Sequence, residues 1–82
     1  MMRLGRILTV TRNKNAIVRI KGEIDIGLKV YDEKMREIGF IADIIGPVKS
    51  PYAVIKVNTS KISLNSLMGK IVYVKKNYRW RR

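Results

Sequence analysis

The sequence lacks both cysteine and histidine. Without cysteine there is no disulfide framework, thiol nucleophile or thiolate zinc site, and without histidine the usual general base and commonest nitrogen ligand are missing. These absences argue against most hydrolytic and redox chemistry.

The sequence also lacks long hydrophobic runs. No apolar run approaches the roughly 18 residues of a membrane-spanning helix, and the first residues lack the apolar core of a signal peptide. We therefore expect a soluble cytoplasmic protein with no membrane partner.

Acidic residues are few and confined to one stretch. The 82 residues include 18 Lys and Arg but only six Asp and Glu, which gives a formal net charge of +12. All six acids lie within residues 23–43, so both flanks of the chain are basic. Such a surplus favours a polyanionic partner or an assembly that contains one, although a merely solvated surface is the alternative. A chain of this length is long enough for a single domain.

Short runs rich in Ile and Val fill most of the chain. Gly, Asn, Asp or Pro interrupts them at intervals of about eight to twelve residues, which is typical of an all-β barrel or sandwich. The predicted strands are residues 4–11, 16–21, 29–31, 37–45, 52–57 and 70–76. One helical turn is predicted at residues 65–68. Because closure removes exposed sheet edges, we predict a six-stranded closed barrel over residues 1–76 and a basic tail over residues 77–82.

A candidate protein-binding surface lies at the end of the longest predicted strand. Strict alternation there places Phe40 in the core and Ile41 and Ile45 on the outward face. Tyr73 is likewise interpreted as a core residue. The loop that follows contains two prolines, which remove two backbone donors and hold the segment extended. The candidate residues for this surface are Ile41, Ile45, Gly46, Pro47, Val48, Pro51, Tyr52 and Val54.

The residues alone leave two interpretations of this surface open. A stiff, exposed apolar patch with an aromatic anchor marks a protein interface. The alternative is that the same side chains only close one end of the barrel. The two interpretations are about equally supported at this point.

The last residues suggest a different chemistry. Tyr78, Arg79, Trp80, Arg81 and Arg82 interleave two aromatic rings with three arginines, a combination that stacks on bases and pairs with phosphates. This tail is the candidate for direct RNA contact, and a solvated terminus is its alternative.

The sequence also lacks the motifs of an enzyme. No serine has a histidine to activate it, and no glycine-rich loop precedes a helix. We therefore predict a protein that is not an enzyme and that uses no cofactor or metal.

One segment resembles a known family. Residues 39–52 read GFIADIIGPVKSPY, and Val30-Tyr31-Asp32 and Arg3-Leu4-Gly5 precede them. These motifs, above all Gly-Pro-Val-x-x-Pro-Tyr, resemble the sequence of the Gar-type subunit of archaeal H/ACA ribonucleoproteins. The resemblance covers residues 3 to about 75.

The resemblance implies a non-catalytic subunit with a barrel similar to those of translation factors. Such a subunit docks on the catalytic domain of the pseudouridine synthase, which modifies ribosomal RNA with a guide RNA. The subunit helps substrate to load and leave by holding a mobile loop of the synthase, and it meets the guide RNA only indirectly. The resemblance assigns docking to Gly46, Pro47, Val48, Pro51 and Tyr52, with the neighbouring Ile45 and Val54.

Two further expectations concern other partners. An unoccupied apolar patch allows the isolated chain to form a homodimer. The rival function is a stand-alone RNA-binding barrel of the OB or SH3-like kind, which would bind bare RNA directly and with strong salt dependence.

Overall fold

The computed structural model describes residues 2–21, 24–60 and 62–75 as a closed six-stranded barrel. The strands are β1 (Met2–Val10), β2 (Asn15–Arg19), β3 (Lys29–Tyr31), β4 (Glu37–Ile45), β5 (Tyr52–Val57) and β6 (Ile71–Val74). Their order around the barrel is β1-β2-β5-β4-β3-β6, and every neighbouring pair is antiparallel. A short 3-10 helix, Leu64–Leu67, precedes β6. The predicted fold class is thereby confirmed.

The core fills the interior of the barrel. Alternate residues of each strand point inward, so Ile and Val dominate the buried set. The buried apolar residues are Leu4, Ile7, Ala16, Val18, Ile20, Val30, Ile38, Ile41, Ala53, Ile55, Val57, Leu67, Val72 and Val74. Leu67 comes from the 3-10 helix, which therefore packs onto the barrel core. In the described part of the chain, no helix is long and apolar enough to cross a membrane.

Strand β4, which has nine residues like β1, departs twice from strict alternation. Its register shifts once against β3, opposite the step from Val30 to Tyr31, and once against β5, between Ile41 and Asp43. Each extra residue reverses which side chains face inward. Ile38 and Gly39 are consequently both buried, whereas Ala42 and Asp43 are both exposed.

Because of these two bulges, the side chains of β4 that face the core differ from those predicted. Ile41 is fully buried, with 0% of its surface exposed, whereas Phe40 is 43% exposed. The predictions that placed Ile41 outward and Phe40 in the core were both wrong, because they assumed an uninterrupted alternation. Ile45 does face outward, as predicted, because the second bulge restores its position. Tyr73 is half-buried on the outer side of β6 rather than in the core, since Val72 and Val74 take the inward positions.

The turn between β3 and β4 is organised by Asp32. Its carboxylate accepts hydrogen bonds from the backbone N–H groups of Lys34 and Arg36 and from Nε of Arg36, each at 2.9 Å. Partial burial by itself would raise the pKa of Asp32, but these hydrogen bonds favour the charged form. The net result is a pKa below the ordinary value of 3.8. Met35 completes the turn with a φ of +68°.

Gly39 provides a test of the β4–β5 pairing. A Cβ at this position would collide with the backbone carbonyl of Lys56, which cannot move without separating the two strands. We expect Gly39→Ala to lower the free energy of unfolding by about 3 kcal/mol, measured by urea denaturation. Gly69→Ala is the control, because Gly69 has a φ of +78° but nothing within 4 Å of an added Cβ. It should lose only about 1 kcal/mol, from the left-handed backbone; equal losses would contradict the tight contact.

Candidate interaction surface

Apolar side chains cluster on the outer side of β2, β5 and β4 at one end of the barrel, in two cross-strand rows that also contain Arg19 and Asp43. The register places Tyr52 opposite Ile45 on β4 and opposite Arg19 on β2. In the neighbouring row, Val54 of β5 lies opposite Ile17 of β2. Side chains of adjacent rows on one face of a sheet contact each other. We call the surface formed by Ile17, Ile45, Val48, Pro51, Tyr52 and Val54 the apolar patch.

The loop between β4 and β5 carries the most exposed part of this patch. Val48 is 95% exposed, although it is a large apolar residue. The carbonyl oxygen of Pro47 accepts a hydrogen bond from the N–H of Ser50 at 3.0 Å, which closes a turn around Val48 and Lys49. The turn therefore projects an apolar side chain into solvent.

Several contacts hold this loop in place. The ring of Tyr52 lies over Gly46, where an added Cβ would come within 3.0 Å of the ring carbon Cδ1. At the other end, the carbonyl oxygen of Pro51 accepts a hydrogen bond from the N–H of Ile20 at 3.1 Å. Arg19 Nη2 also donates to Ser50 Oγ at 3.1 Å. Because both ends are fixed to the barrel, the loop loses little conformational entropy when a partner covers it.

The structure brings most of the predicted docking residues together. Ile45 is 43% exposed, Gly46 and Pro47 are exposed, and Pro51, Tyr52 and Val54 are half-buried. Ile41 does not belong to the surface, because its side chain is in the core. Ile17 belongs to it but was missed. Alternation along β2 places Ile17 on the same face as Arg19 and Lys21, which is mostly polar. Only the pairing of β2 with β5 brings Ile17 beside Val54.

The predicted RNA-binding tail lies outside the described residues, so that hypothesis stays a prediction. Within the described residues, Phe40 is the one aromatic side chain classed as exposed. It stands between Lys29 of β3 and Lys56 of β5 in the same cross-strand row. Among residues 2–21, 24–60 and 62–75, no three acidic side chains gather in a way that could hold a metal ion.

A closed barrel with an apolar patch on a stiff loop, in a strongly basic chain, is typical of the class of binding modules. The sequence model of the Gar1 family, described as the Gar1/Naf1 RNA binding region, matches residues 1–80. The chain therefore belongs to the Gar1/Naf1 family, as the sequence motif indicated. This is a family of accessory proteins associated with H/ACA ribonucleoproteins.

A solved structure gives independent support for the fold. The chain is similar to the structure of the Gar1 domain of Naf1, with a TM-score of 0.71 and 22% sequence identity. The match covers 89% of this chain and 79% of the other. At this level of identity the likeness establishes the shared barrel. No curated protein matches the sequence.

Proposed function

We propose that this protein is a non-catalytic subunit of an H/ACA ribonucleoprotein that binds the catalytic domain of the pseudouridine synthase. It assists loading and release of substrate RNA during rRNA pseudouridylation and ribosome biogenesis, and it acts in the cytoplasm. The observation that carries the proposal is the apolar patch, with Val48 at the tip of a loop fixed to the barrel. Membership of the Gar1/Naf1 family supports the assignment of this surface to an H/ACA particle.

The patch has the composition of an interface centre. Full burial of an exposed aliphatic side chain contributes about 1.5–3 kcal/mol, and Val48 has almost its whole surface left to bury. Tyr52 adds an aromatic anchor, a residue type enriched at the energetic centres of interfaces. The fixed loop reduces the entropy that docking would otherwise lose. When the chain is isolated, we propose that the same patch pairs with a second copy.

Docking at this patch can influence the synthase without any catalytic group from the subunit. A bound subunit shifts the equilibrium of a mobile partner loop only by the difference in its affinity for the two loop positions. A rigid apolar surface supplies such a difference, because it makes contacts with one loop position that it cannot make with the other. Substrate loading and release then follow the position of the loop.

The patch predicts which substitutions separate the subunit from the synthase. Val48→Glu combined with Tyr52→Glu should abolish co-purification, because docking would bury two unpaired charges.

A second test compares two single variants at equally exposed positions, since Ile45 and Phe40 lie on the same strand and are both 43% exposed. Ile45→Glu should weaken synthase binding at least about 100-fold in calorimetric titration, whereas Phe40→Glu should leave it within about threefold.

The control for folding is thermal unfolding of each isolated variant. A substitution at a side chain as exposed as Val48 should change the free energy of unfolding by less than about 0.5 kcal/mol. If the folded double variant still co-purifies with the synthase, or if Phe40→Glu is the variant that loses it, the proposed docking surface is wrong.

A second candidate function is supported by the row Lys29–Phe40–Lys56. An aromatic ring between two lysines on a sheet face is a platform on which a base stacks while its phosphates are neutralised. A stand-alone RNA-binding barrel of the OB or SH3-like kind would use such a platform. It ranks second, because sheet platforms of this kind combine several exposed rings, whereas Phe40 is the one exposed ring among the described residues and Tyr31, Tyr52 and Tyr73 are half-buried.

The two candidate functions differ in their affinity for bare RNA at physiological salt. The stand-alone barrel requires micromolar binding or tighter, and Phe40→Ala should weaken it by at least about fivefold through lost stacking. For the docking subunit we expect weak binding that ignores sequence and is unaffected by Phe40→Ala. Filter binding of the isolated chain at two salt concentrations distinguishes them. Tight binding that depends on Phe40 would favour the second candidate.

A further inference from the structure

An open cleft adjoins the apolar patch at the end of the barrel where β1 begins and β2 ends. Its volume is about 1020 Å³. Its lining comes from the first half of β1, from the end of β2 and residues close to it, and from the loop after β4. The residues that line it are Met2, Arg3, Leu4, Gly5, Arg6, Arg19, Ile20, Lys21, Ile24, Val48, Lys49, Ser50 and Pro51.

The lining of this cleft is strongly basic. Arg3, Arg6, Arg19, Lys21 and Lys49 contribute five cations, and none of the described residues that line the cleft is acidic. The ion pairs found among the described residues, Lys29 with Glu37 and Arg36 with Asp32, involve none of these five cations. The described lining therefore concentrates positive charge, an arrangement that attracts an anionic ligand.

A bulge in β1 directs two of these cations outward. The register against β6 shifts between Arg3 and Gly5, and as a result Leu4 and Ile7 are buried while Arg3 and Arg6 are both exposed. Uninterrupted alternation would have turned one of these two arginines into the barrel. Gly5 permits the close approach of β1 to β2, since a Cβ there would lie 2.6 Å from the carbonyl oxygen of Arg19.

Two of the arginines make a hydrogen bond to the barrel. Arg19 Nη2 donates to Ser50 Oγ, on the lining of the cleft, at 3.1 Å, whereas Arg6 Nη1 donates at 2.9 Å to the carbonyl oxygen of Gly69, which lies outside the lining. A guanidinium carries five N–H donors in a fixed fork, so each arginine keeps donors for a ligand. Such oriented guanidinium groups match the geometry of phosphate oxygens.

We propose that this cleft binds the sugar–phosphate backbone of RNA without reading its sequence. The described part of the lining contains cations and a serine but no aromatic ring, so these residues can neutralise successive phosphates but offer no stacking surface for bases. The family model describes residues 1–80 as an RNA binding region, and the cleft assigns that property to particular residues. The cleft shares Val48 and Pro51 with the apolar patch, so RNA bound there would pass beside a docked polypeptide. This inference goes beyond the proposed function and does not depend on synthase binding.

The test compares two triple variants of the full chain that carry the same net charge. Arg3→Gln/Lys21→Gln/Lys49→Gln removes three cations from the cleft, and Arg12→Gln/Lys14→Gln/Lys34→Gln removes three from outside both the cleft and the row around Phe40. The probe is a fluorescent single-stranded RNA of about 12 nucleotides and mixed sequence, followed by anisotropy at several low salt concentrations. The cleft variant should bind at least about tenfold more weakly. The slope of log K against log salt should fall by about 2, since each lost phosphate contact removes about 0.7.

The matched variant should stay within about threefold of the unsubstituted chain, and both variants should keep its thermal unfolding midpoint within about 4 °C. Equal losses in the two variants would show that diffuse net charge binds the RNA, and this would overturn the proposal. Unchanged binding in the cleft variant would also overturn it. A third arm uses poly-glutamate of matched charge as competitor. If it displaces RNA from the cleft as effectively as unlabelled RNA does, the cleft serves an acidic polypeptide and the proposal fails.

Discussion

The pairing register of β4 with β5 is the constraint on which the outer surface of this barrel depends. After Ile41, which faces the core, one extra residue between Ile41 and Asp43 turns Ile45 to the outside, opposite Tyr52. Because the barrel is closed, each strand pairs with a neighbour on both sides, and outward side chains and loops form the main surface open to a partner. The register therefore decides which apolar side chains are available to a partner.

The two interaction surfaces share the loop between β4 and β5 but differ in physical character. The apolar patch offers Val48, Ile45 and Tyr52, whose burial favours association with another polypeptide. The adjoining cleft offers arginines and lysines, whose attraction to phosphate depends on salt. A small protein that carries both surfaces side by side is suited to a particle in which a protein and an RNA lie close together.

Much of the fold could be predicted from local sequence pattern, because the Ile and Val runs and the turn residues between them directly encode six short strands. The loop with Pro47 and Pro51 could also be predicted from its two prolines, and its sequence motif indicated the family. The faces of β4 were not predictable by alternation, because a bulge leaves no signature in composition. The same holds for Arg3 and Arg6, which a bulge in β1 turns to one side. Ile17 was missed for a different reason, since its neighbours come from a strand more than thirty residues away in the chain.

The central claim is that the apolar patch is open on the monomer and covered by the synthase in the particle. Hydrogen–deuterium exchange of the isolated chain, diluted until it is monomeric, and of its complex with the synthase tests this claim most directly. The account predicts slower exchange in the complex for peptides that span residues 46–54, and unchanged exchange for the β3–β4 turn around residues 32–36. Protection of the β3–β4 turn with unaltered exchange at residues 46–54 would contradict it.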